Sequence, residues 1–593
     1  MKIGGATLNQ TPFAWENNVK NIIEAIKSAR SKGIELLCLP ELSVTGYGCQ
    51  DVFLSDWIYQ DSLRFLSEIL PHTEGIATNI GLPFRYQGQN YNCVVMVHDQ
   101  KVLGVSAKQN LANDGVHYES RWFNAWPSDK VFEVDILGSQ VPFGDVVYHI
   151  KDVNIAFEIC EDAWSENRPG SRYAEAEVDV ILNPSASHFA FGKSQLRSEL
   201  VVNSSKDFDC TYVYTNLLGN EAGRMIYDGE VLIAHKGKLI ARNELCSFQK
   251  VNVISDGIAT QVDKNTEFLI SSRLALYDYM RKTCSKGYVL SLSGGADSST
   301  CAVLVREMLN QAVNTLTIDE LTNDMAYFKL DFENGKDKLM QSILYTAYQA
   351  TVNSGEITFE AAKALAKELG ASFYDWNIDQ VVDQATNTME NVLGRKLGWD
   401  SDDLALQNIQ ARARSPFIWM LTNLTGGLLI TTSNRSEGGM GYTTMDGDSS
   451  GGIAPIAGVD KHFVRQWLIW AESSLGYEAL GKVNVQAPTA ELRPSTSEQK
   501  DEEDLMPYDL MVKIERLAIK EYKSPSQVFM VLRDQLNIEE SSLRGYINKF
   551  FQKWSLNQWK RERIAPSFHL DDFNVDPKTW YRFPIISGGF EKL

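Results

Sequence analysis

The stretch Ser293-Gly294-Gly295-Ala296-Asp297-Ser298-Ser299 combines the groups that hold a polyphosphate. Two glycines let a backbone turn sharply and bring its N–H groups close to an anion. The hydroxyls add donors, and Asp297 can hold a divalent cation against phosphate oxygens. The apolar run Tyr288-Val289-Leu290-Ser291-Leu292 precedes the stretch and Thr300-Cys301-Ala302-Val303-Leu304-Val305 follows it, which predicts strand, tight loop and helix. The N-terminus of that helix adds free N–H groups and the positive end of its dipole. No lysine sits in the turn and the G-x-x-x-x-G-K-[ST] pattern is absent. The loop therefore suits the pyrophosphate half of ATP, with AMP transferred rather than the γ-phosphoryl group. A serine- and glycine-rich turn without a ligand is the ordinary alternative, and the full string between strand and helix outweighs it.

A second set of groups stands at the ends of three apolar runs. Ile34 to Leu39 leads to Pro40-Glu41, Val102 to Ala107 leads to Lys108, and Val153 to Ile159 leads to Cys160. The C-terminal ends of strands are where α/β folds place chemistry. Singly, these are a surface acid, a solvated lysine and a small buried cysteine. Together they match one need: a thiolate attacks an amide carbon, a carboxylate takes and returns the proton, and an ammonium stabilises the oxyanion. A third polar cluster follows Leu428-Leu429-Ile430-Thr431-Thr432, namely Ser433-Asn434-Arg435-Ser436-Glu437, then Tyr442 to Asp448, then Lys461.

These groups need a scaffold, and the patterning supplies one. Ile3 to Leu8 reads as a strand, and Val19, Ile22, Ile23, Ile26 and Ala29 recur at helical spacing before Gly33. In the second half, Glu360 to Leu369 is helical with Gly370 as its stop, Ala371 to Ile378 is a strand, and Leu404 to Leu424 is a long helix ended by Gly426-Gly427. Strands alternating with helices indicate a parallel sheet. Residues 256–268 lose periodicity, which places a linker there and divides the chain into domains 1–262 and 263–593. Residues 309–340 are weakly patterned and read as an insertion or mobile loop. A length of 593 residues requires more than one domain. The net charge of −19 disfavours nonspecific binding to nucleic acid or anionic membranes. No apolar segment approaches the ~20 residues of a membrane span, and the first residues read as a strand rather than a signal peptide. Eight cysteines without a C-x-x-C pair indicate neither a zinc site nor a disulfide framework, so a cytoplasmic setting is expected.

The first half resembles the nitrilase superfamily of carbon–nitrogen hydrolases. The resemblance rests on Leu39-Pro40-Glu41-Leu42 with Thr45-Gly46-Tyr47, on Lys108, on Glu158-Ile159-Cys160-Glu161-Asp162, and on Asn183-Pro184-Ser185-Ala186-Ser187 after Val180-Ile181-Leu182, and it extends from residue 1 to about 255. It implies an αββα sandwich, with Glu41 as base, Lys108 as oxyanion stabiliser and Cys160 as nucleophile. Glu119, in Tyr118-Glu119-Ser120-Arg121-Trp122-Phe123, matches a second glutamate that supports the lysine. Related glutaminase domains often follow the lysine with Leu-Pro-Asn-Tyr, where this chain has Leu111-Ala112-Asn113-Asp114.

The second half resembles the ATP pyrophosphatases, and within them the NAD synthetase family, in four segments occurring in order. They are the Ser293–Ser299 loop, Asn408-Ile409-Gln410-Ala411-Arg412, Thr432-Ser433-Asn434-Arg435-Ser436-Glu437 and Pro488-Thr489-Ala490-Glu491-Leu492, with Trp559-Lys560-Arg561 near the end. That resemblance implies a Rossmann-like parallel-sheet domain. It assigns ATP and its phosphates to Ser293, Gly294, Gly295, Asp297, Ser298, Ser299, Thr432, Lys461 and Thr489, and Mg²⁺ to Asp297 and Glu437. It assigns deamido-NAD to Asn408, Arg412, Asp448 and Lys560. A second aspartate, common four positions after Asp448, is Gly452 here. The implied reaction draws ammonia from glutamine to amidate an adenylated deamido-NAD, in a homo-oligomer. A glutamine-using ligase for another carboxylate, or a nucleotide-binding regulator with decayed sites, are the alternatives.

Overall fold

The computed structural model describes residues 1–330, 332, 335–486, 492–493 and 501–593. The chain divides into two compact units, Met1–Asp278 and Tyr279–Leu593.

In the first unit two sheets stack face to face. One runs in the order Val251–Ile254, Ile3–Leu8, Leu36–Cys38, Ala77–Tyr86, Gln89–His98, Lys101–Ala107, Ser139–Gly144, Val131–Ile136. The other runs Gly257–Ile258, Lys238–Arg242, Val231–His235, Thr211–Asn216, Val180–Ser185, Val153–Phe157, Tyr148–Ile150. Leu36, Cys38, Val94 and Met96 of the first sheet pack against Phe157, Leu182, Val213 and Ile233 of the second. Gly5 lets the sheets approach, because a Cβ there would lie 2.6 Å from both Thr215 and Val231. Outside the first sheet, helix Trp15–Ser31 buries Val19, Ile22, Ile26 and Ala29 of the stripe expected from their spacing, together with Ala25, while Ile23 is only partly buried; they lie beside Phe65, Leu66 and Ile69 of helix Trp57–Ile69. Helix Lys193–Asp207 packs against strands of the second sheet. The result is a four-layer αββα sandwich.

The stretch 256–268 is not the structureless linker its composition suggests. Gly257–Ile258 pairs with Ala241 and Arg242 as an edge strand, and a helix begins at Lys264 and runs to Lys282. The division of the units falls within this helix and not at the 262/263 junction before it, because its first turns are held by the sandwich. Glu267 accepts the Gly192 N–H, Phe268 and Leu274 are fully buried, and the Asp278 carboxylate accepts the Asn9 side-chain amide at 3.0 Å and the Asn220 N–H at 2.8 Å.

The second unit is built on a four-stranded parallel sheet in the order Ser372–Asn377, Leu344–Ala350, Tyr288–Ser291, Leu428–Ile430. The long helix extends over Trp399–Thr425 and packs on Tyr288–Ser291 and Leu428–Ile430. Helices Tyr508–Glu515, Pro525–Gln535 and Glu540–Leu556 form a separate apolar core with Met440, Phe573 and Val575. Most of the described residues in 309–340 are helical rather than the loop expected as one reading. Helix Ala296–Thr315 continues through it with Leu309 and Ala312 buried. Thr317 and Glu320 then form a capping box for Ile318–Asp324, and Gly335–Gln341 is helical with Leu339 and Met340 buried. Short helices broken by caps blur the long-range period that a sequence reading depends on. None of the described helices is long and apolar enough to cross a membrane.

Asp278→Ala removes an acceptor that serves both Asn9 and Asn220. Hydrogen bonds to a charged group contribute about 1.5–3 kcal/mol, and a loss of that size is expected in the first calorimetric transition of the full chain. An unchanged transition would show that this carboxylate does not hold the helix to the sandwich.

Candidate active sites

Glu41, Lys108, Glu119 and Cys160 converge in the first unit. Glu41 follows strand Leu36–Cys38, Lys108 follows Lys101–Ala107, and Cys160 opens a 3₁₀ turn, Cys160–Ala163, just beyond Val153–Phe157. All four are buried. The Lys108 ammonium lies 2.7 Å from Glu41 Oε1 and 2.8–2.9 Å from the two oxygens of Glu119. Asn92 donates to the same two carboxylates at 2.6 and 3.2 Å, and Tyr47 donates to Glu119 at 3.0 Å. The Ala112 N–H donates to the other Glu119 oxygen at 2.8 Å. The Ala186 N–H donates to Glu41 Oε2 at 2.9 Å.

The titration of the group follows from this wiring. Burial favours protonated Glu41 and raises its pKa, against the pull of Lys108, and the Glu119 charge raises it further. Burial also pushes Glu119 up, but Lys108 and its hydrogen bonds outweigh that and hold it below the ordinary carboxylate value. Burial and the Glu41 charge push the Cys160 thiol well up. The resting pair is therefore a thiol beside a carboxylate of raised proton affinity. Such a pair moves its proton as sulfur attacks, not before. Cys160 sits at φ 49°, in the left-handed region that side chains rarely adopt.

Asp162 ties the Lys108 and Cys160 segments together. It accepts the N–H groups of Gln109 (3.1 Å) and Asn110 (2.6 Å) from one and Ile159 (2.9 Å) from the other. Asn92 was not singled out from the sequence, and Asp162 and Ala186 stood within matching motifs without a role of their own. Asn92, a polar residue in the buried part of Gln89–His98, is the signal that could have been read. The departure at Asp114 has a local account. Its carboxylate closes a turn by accepting the N–H groups of Val116 and His117 at 3.0 and 2.8 Å and lies 3.3 Å from the His117 ring. Asp114, His117 and His188 could together offer three metal-ligand atoms, but the Lys193 ammonium already lies 3.3–3.4 Å from the His188 ring nitrogens.

In the second unit one large cavity opens over the end of the sheet. Ser293, Gly295, Asp297, Ser298, Thr432, Glu437, Asp448 and Lys461 all line it. Gly294 shapes the loop from beneath: its φ is 80°, and a Cβ would fall 2.1 Å from the Thr358 carbonyl. Ser298 Oγ hydrogen-bonds Ser293 across the turn. Ser299 is fully buried in the helix and does not line the cavity. Thr489 lies outside the described residues. Lys461 bonds Asp297 and lies 3.3 Å from Glu437, while Asn434 donates to Asp297 at 3.0 Å. Two carboxylates thus converge on one cation at the mouth of the loop, a donor set that fits Mg²⁺ bound together with phosphate oxygens.

Asn408, Arg412, Asp448 and Lys560 meet on one loop, residues 441–448. Thr444 donates to Asn408 at 2.7 Å and, through its N–H, to Asp448 at 2.6 Å. Arg412 donates to the Met445 carbonyl at 3.1 Å, and Lys560 to those of Gly441 and Thr443 at 2.7 Å. Of the four, only Asp448 lines the large cavity, and Lys560 borders a smaller one behind the loop. A Cβ at Gly452 would meet nothing closer than 3.6 Å, so the backbone does not require glycine there. Tyr348, Ser354, Arg414 and Arg465 also line the large cavity and were not anticipated. Arg414, two residues beyond Arg412, lay within the helical segment already noted.

A buried thiol, carboxylate and ammonium in an αββα sandwich, joined in one chain to a parallel-sheet unit with a phosphate loop, define an amide-hydrolysing domain coupled to a nucleotide-using one. Comparison with known proteins gives the same division. The carbon-nitrogen hydrolase family matches residues 2–253 and the NAD synthase family residues 269–563. A glutamine-dependent NAD(+) synthetase of Oryza sativa subsp. indica is 30% identical over 97% of this chain and 90% of its own. The crystal structure of a glutamine-dependent NAD(+) synthetase from Cytophaga hutchinsonii superposes with a TM-score of 0.91 at 52% identity, over 99% of this chain and 97% of that one. That of the Acinetobacter baumannii synthetase, described in complex with ADP, shares the fold at 22% identity and a TM-score of 0.68, over 99% and 98% of the two chains. The chain belongs to the glutamine-dependent NAD(+) synthetase family and forms NAD by glutamine-dependent amidation.

Glu119→Gln tests the shared ammonium. The Glu119 charge raises the Glu41 pKa, so its removal lets Glu41 stay ionised to lower pH. The acid limb of the glutamine-hydrolysis profile should move down, while loosening of Lys108 lowers the plateau by about 10²-fold. A limb that stays in place would show that the two carboxylates do not interact.

Proposed function

We propose that the first unit, Met1–Asp278, releases ammonia from glutamine and that the second, Tyr279–Leu593, uses it on adenylated deamido-NAD. Cys160 sulfur attacks the side-chain amide carbon of glutamine while Glu41 takes the thiol proton. Lys108 faces the oxygen that gains charge. Collapse of the tetrahedral adduct breaks the C–N bond, and Glu41 returns the proton to the leaving nitrogen. Water activated by Glu41 then cleaves the thioester to glutamate. Glu119 keeps Lys108 charged throughout.

In the second unit ATP lies along the large cavity with its phosphates on Ser293, Gly295 and Ser298, in the turn that Gly294 permits, beside Thr432. The ADP complex of the Acinetobacter relative supports nucleotide binding in this fold. The convergence of Asp297, Glu437 and Lys461 on the loop carries the reading. Asp297 and Glu437 would hold Mg²⁺, which when bound supplies charge neutralisation for the phosphates. Asn408, Arg412, Asp448 and Lys560 position deamido-NAD through the 441–448 loop. A nicotinate carboxylate oxygen bonds to the α-phosphorus and pyrophosphate leaves. Ammonia then bonds to the acyl carbon and AMP leaves. Adenylation is needed because a carboxylate is a poor electrophile.

The setting that suits eight cysteines without a C-x-x-C pair is a reducing cytoplasm, and one surface feature supports a wider assembly. Helix Asp379–Leu393 buries none of its residues, and Val392, Leu404, Met420 and Leu424 are each more than half exposed along it and the following long helix. A second copy of the chain covers this face in the homo-oligomer we propose.

Cys160→Ala should abolish NAD synthesis from glutamine and leave synthesis from an ammonium salt near wild type. Asp297→Asn or Glu437→Gln should cut both by about 10²-fold or more and spare glutamine hydrolysis. Glutamine-driven turnover in the first variant, or normal ammonia-driven rates in the other two, would refute the assignments. Leu424→Glu should lower the mass measured by light scattering to that of a smaller species. An unchanged mass would exclude this face from the assembly.

A further inference from the structure

The phosphate loop contains no basic residue between Ser293 and Ser299, so a cation for the triphosphate must come from elsewhere around the cavity. Among the described residues, Arg414, Lys461 and Arg465 are the lysines and arginines that line it. Lys461 is committed to Asp297 and Glu437. Arg414 donates to the Gln349 carbonyl at 3.2 Å, on the side of strand Leu344–Ala350. Arg465 is different. It stands on helix Lys461–Leu475 four residues after Lys461, hence on the same helix face one turn further along. It lines the cavity with Ser293, Gly295, Asp297 and Ser298, is only partly buried, and makes no hydrogen bond or ion pair among the described residues. In a chain of net charge −19, an arginine beside a phosphate loop without an acidic partner is placed to receive an anionic ligand.

We propose that Arg465 binds the β- and γ-phosphates of ATP and stabilises the pyrophosphate they become. The proposal rests on reading the cavity as the adenylating site. When the acceptor carboxylate bonds to the α-phosphorus, the α–β bridging P–O bond breaks and its electron pair leaves with pyrophosphate. Negative charge therefore grows on the group that Arg465 faces. A planar guanidinium suits this task, since it can donate two parallel bonds to phosphate oxygens and stays charged at any working pH. Lys461 shares its charge with Asp297 and Glu437, whereas Arg465 has no carboxylate partner among the described residues.

The test uses the full-length chain with ammonium salt as nitrogen source, measuring AMP and NAD formation against ATP concentration and against added inorganic pyrophosphate. Arg465→Ala should raise the KM for ATP and weaken inhibition by pyrophosphate, each about tenfold. The KM for deamido-NAD, the melting temperature and glutamine hydrolysis should stay as in the wild type. Arg465→Lys should recover part of the pyrophosphate inhibition, which a merely structural arginine would not predict. Unaltered ATP and pyrophosphate dependence in Arg465→Ala, with wild-type turnover intact, would overturn this role alone. A wild-type chain that releases no AMP would overturn the adenylating reading and this proposal with it.

Discussion

A buried ammonium shared by two carboxylates is the arrangement on which both halves of the molecule depend. In the sandwich it is Lys108 between Glu41 and Glu119, and over the phosphate loop it is Lys461 between Asp297 and Glu437. An isolated buried charge would be very costly, and a single ion pair would cancel itself and leave nothing to react. Two carboxylates on one ammonium leave one unit of negative charge uncompensated. The sandwich can spend that residual charge on a proton from a thiol. The phosphate site can spend it on a divalent cation. The same local wiring thus supports acid–base chemistry in one setting and metal–phosphate binding in the other.

Holding three charges together demands a rigid frame, and strand ends provide it. Glu41, Lys108 and Cys160 come from separate strands whose order is fixed by backbone ladders, and Asp162 joins two of the loops by accepting three backbone N–H groups. In the second unit Arg435, two residues from Glu437, is fully enclosed and pairs with Asp460, Glu515 and Asp571. Asp460 directly precedes Lys461 and also caps its helix by accepting the Phe463 N–H. The backbone that carries Lys461 is therefore anchored by residues that do not line the nucleotide cavity, while Asp297 and Glu437 hold its ammonium.

Much of this was legible in the chain itself. Residues that act at strand ends follow unbroken apolar runs, so Glu41, Lys108, Cys160 and the phosphate loop stood out before any coordinates. The parallel sheet was visible because its helices end at glycines such as Gly370 and Gly426, both in the left-handed region. What failed was local. The helix from Lys264 begins with polar residues and shows little one-sided patterning, so its start read as a linker. Residues 309–340 hide short capped helices. Asn92 and Asp162 act through backbone and carboxylate partners distant in sequence, and Arg465 is recognised only by what it faces. Spacing along a chain carries no information about such partners.

The protonated, buried state of Cys160 has a consequence for selectivity toward reagents. General thiol alkylators need an accessible thiolate, and Cys160 offers neither access nor charge at rest, whereas Cys284 is exposed. A diffuse electrophile will mark Cys284 first and leave the sandwich working. An electrophile shaped like a carboxamide side chain is presented to the sulfur as the substrate is, draws the proton onto Glu41 and generates its own nucleophile. Covalent chemistry at Cys160 is thus gated by molecular shape rather than by intrinsic reactivity.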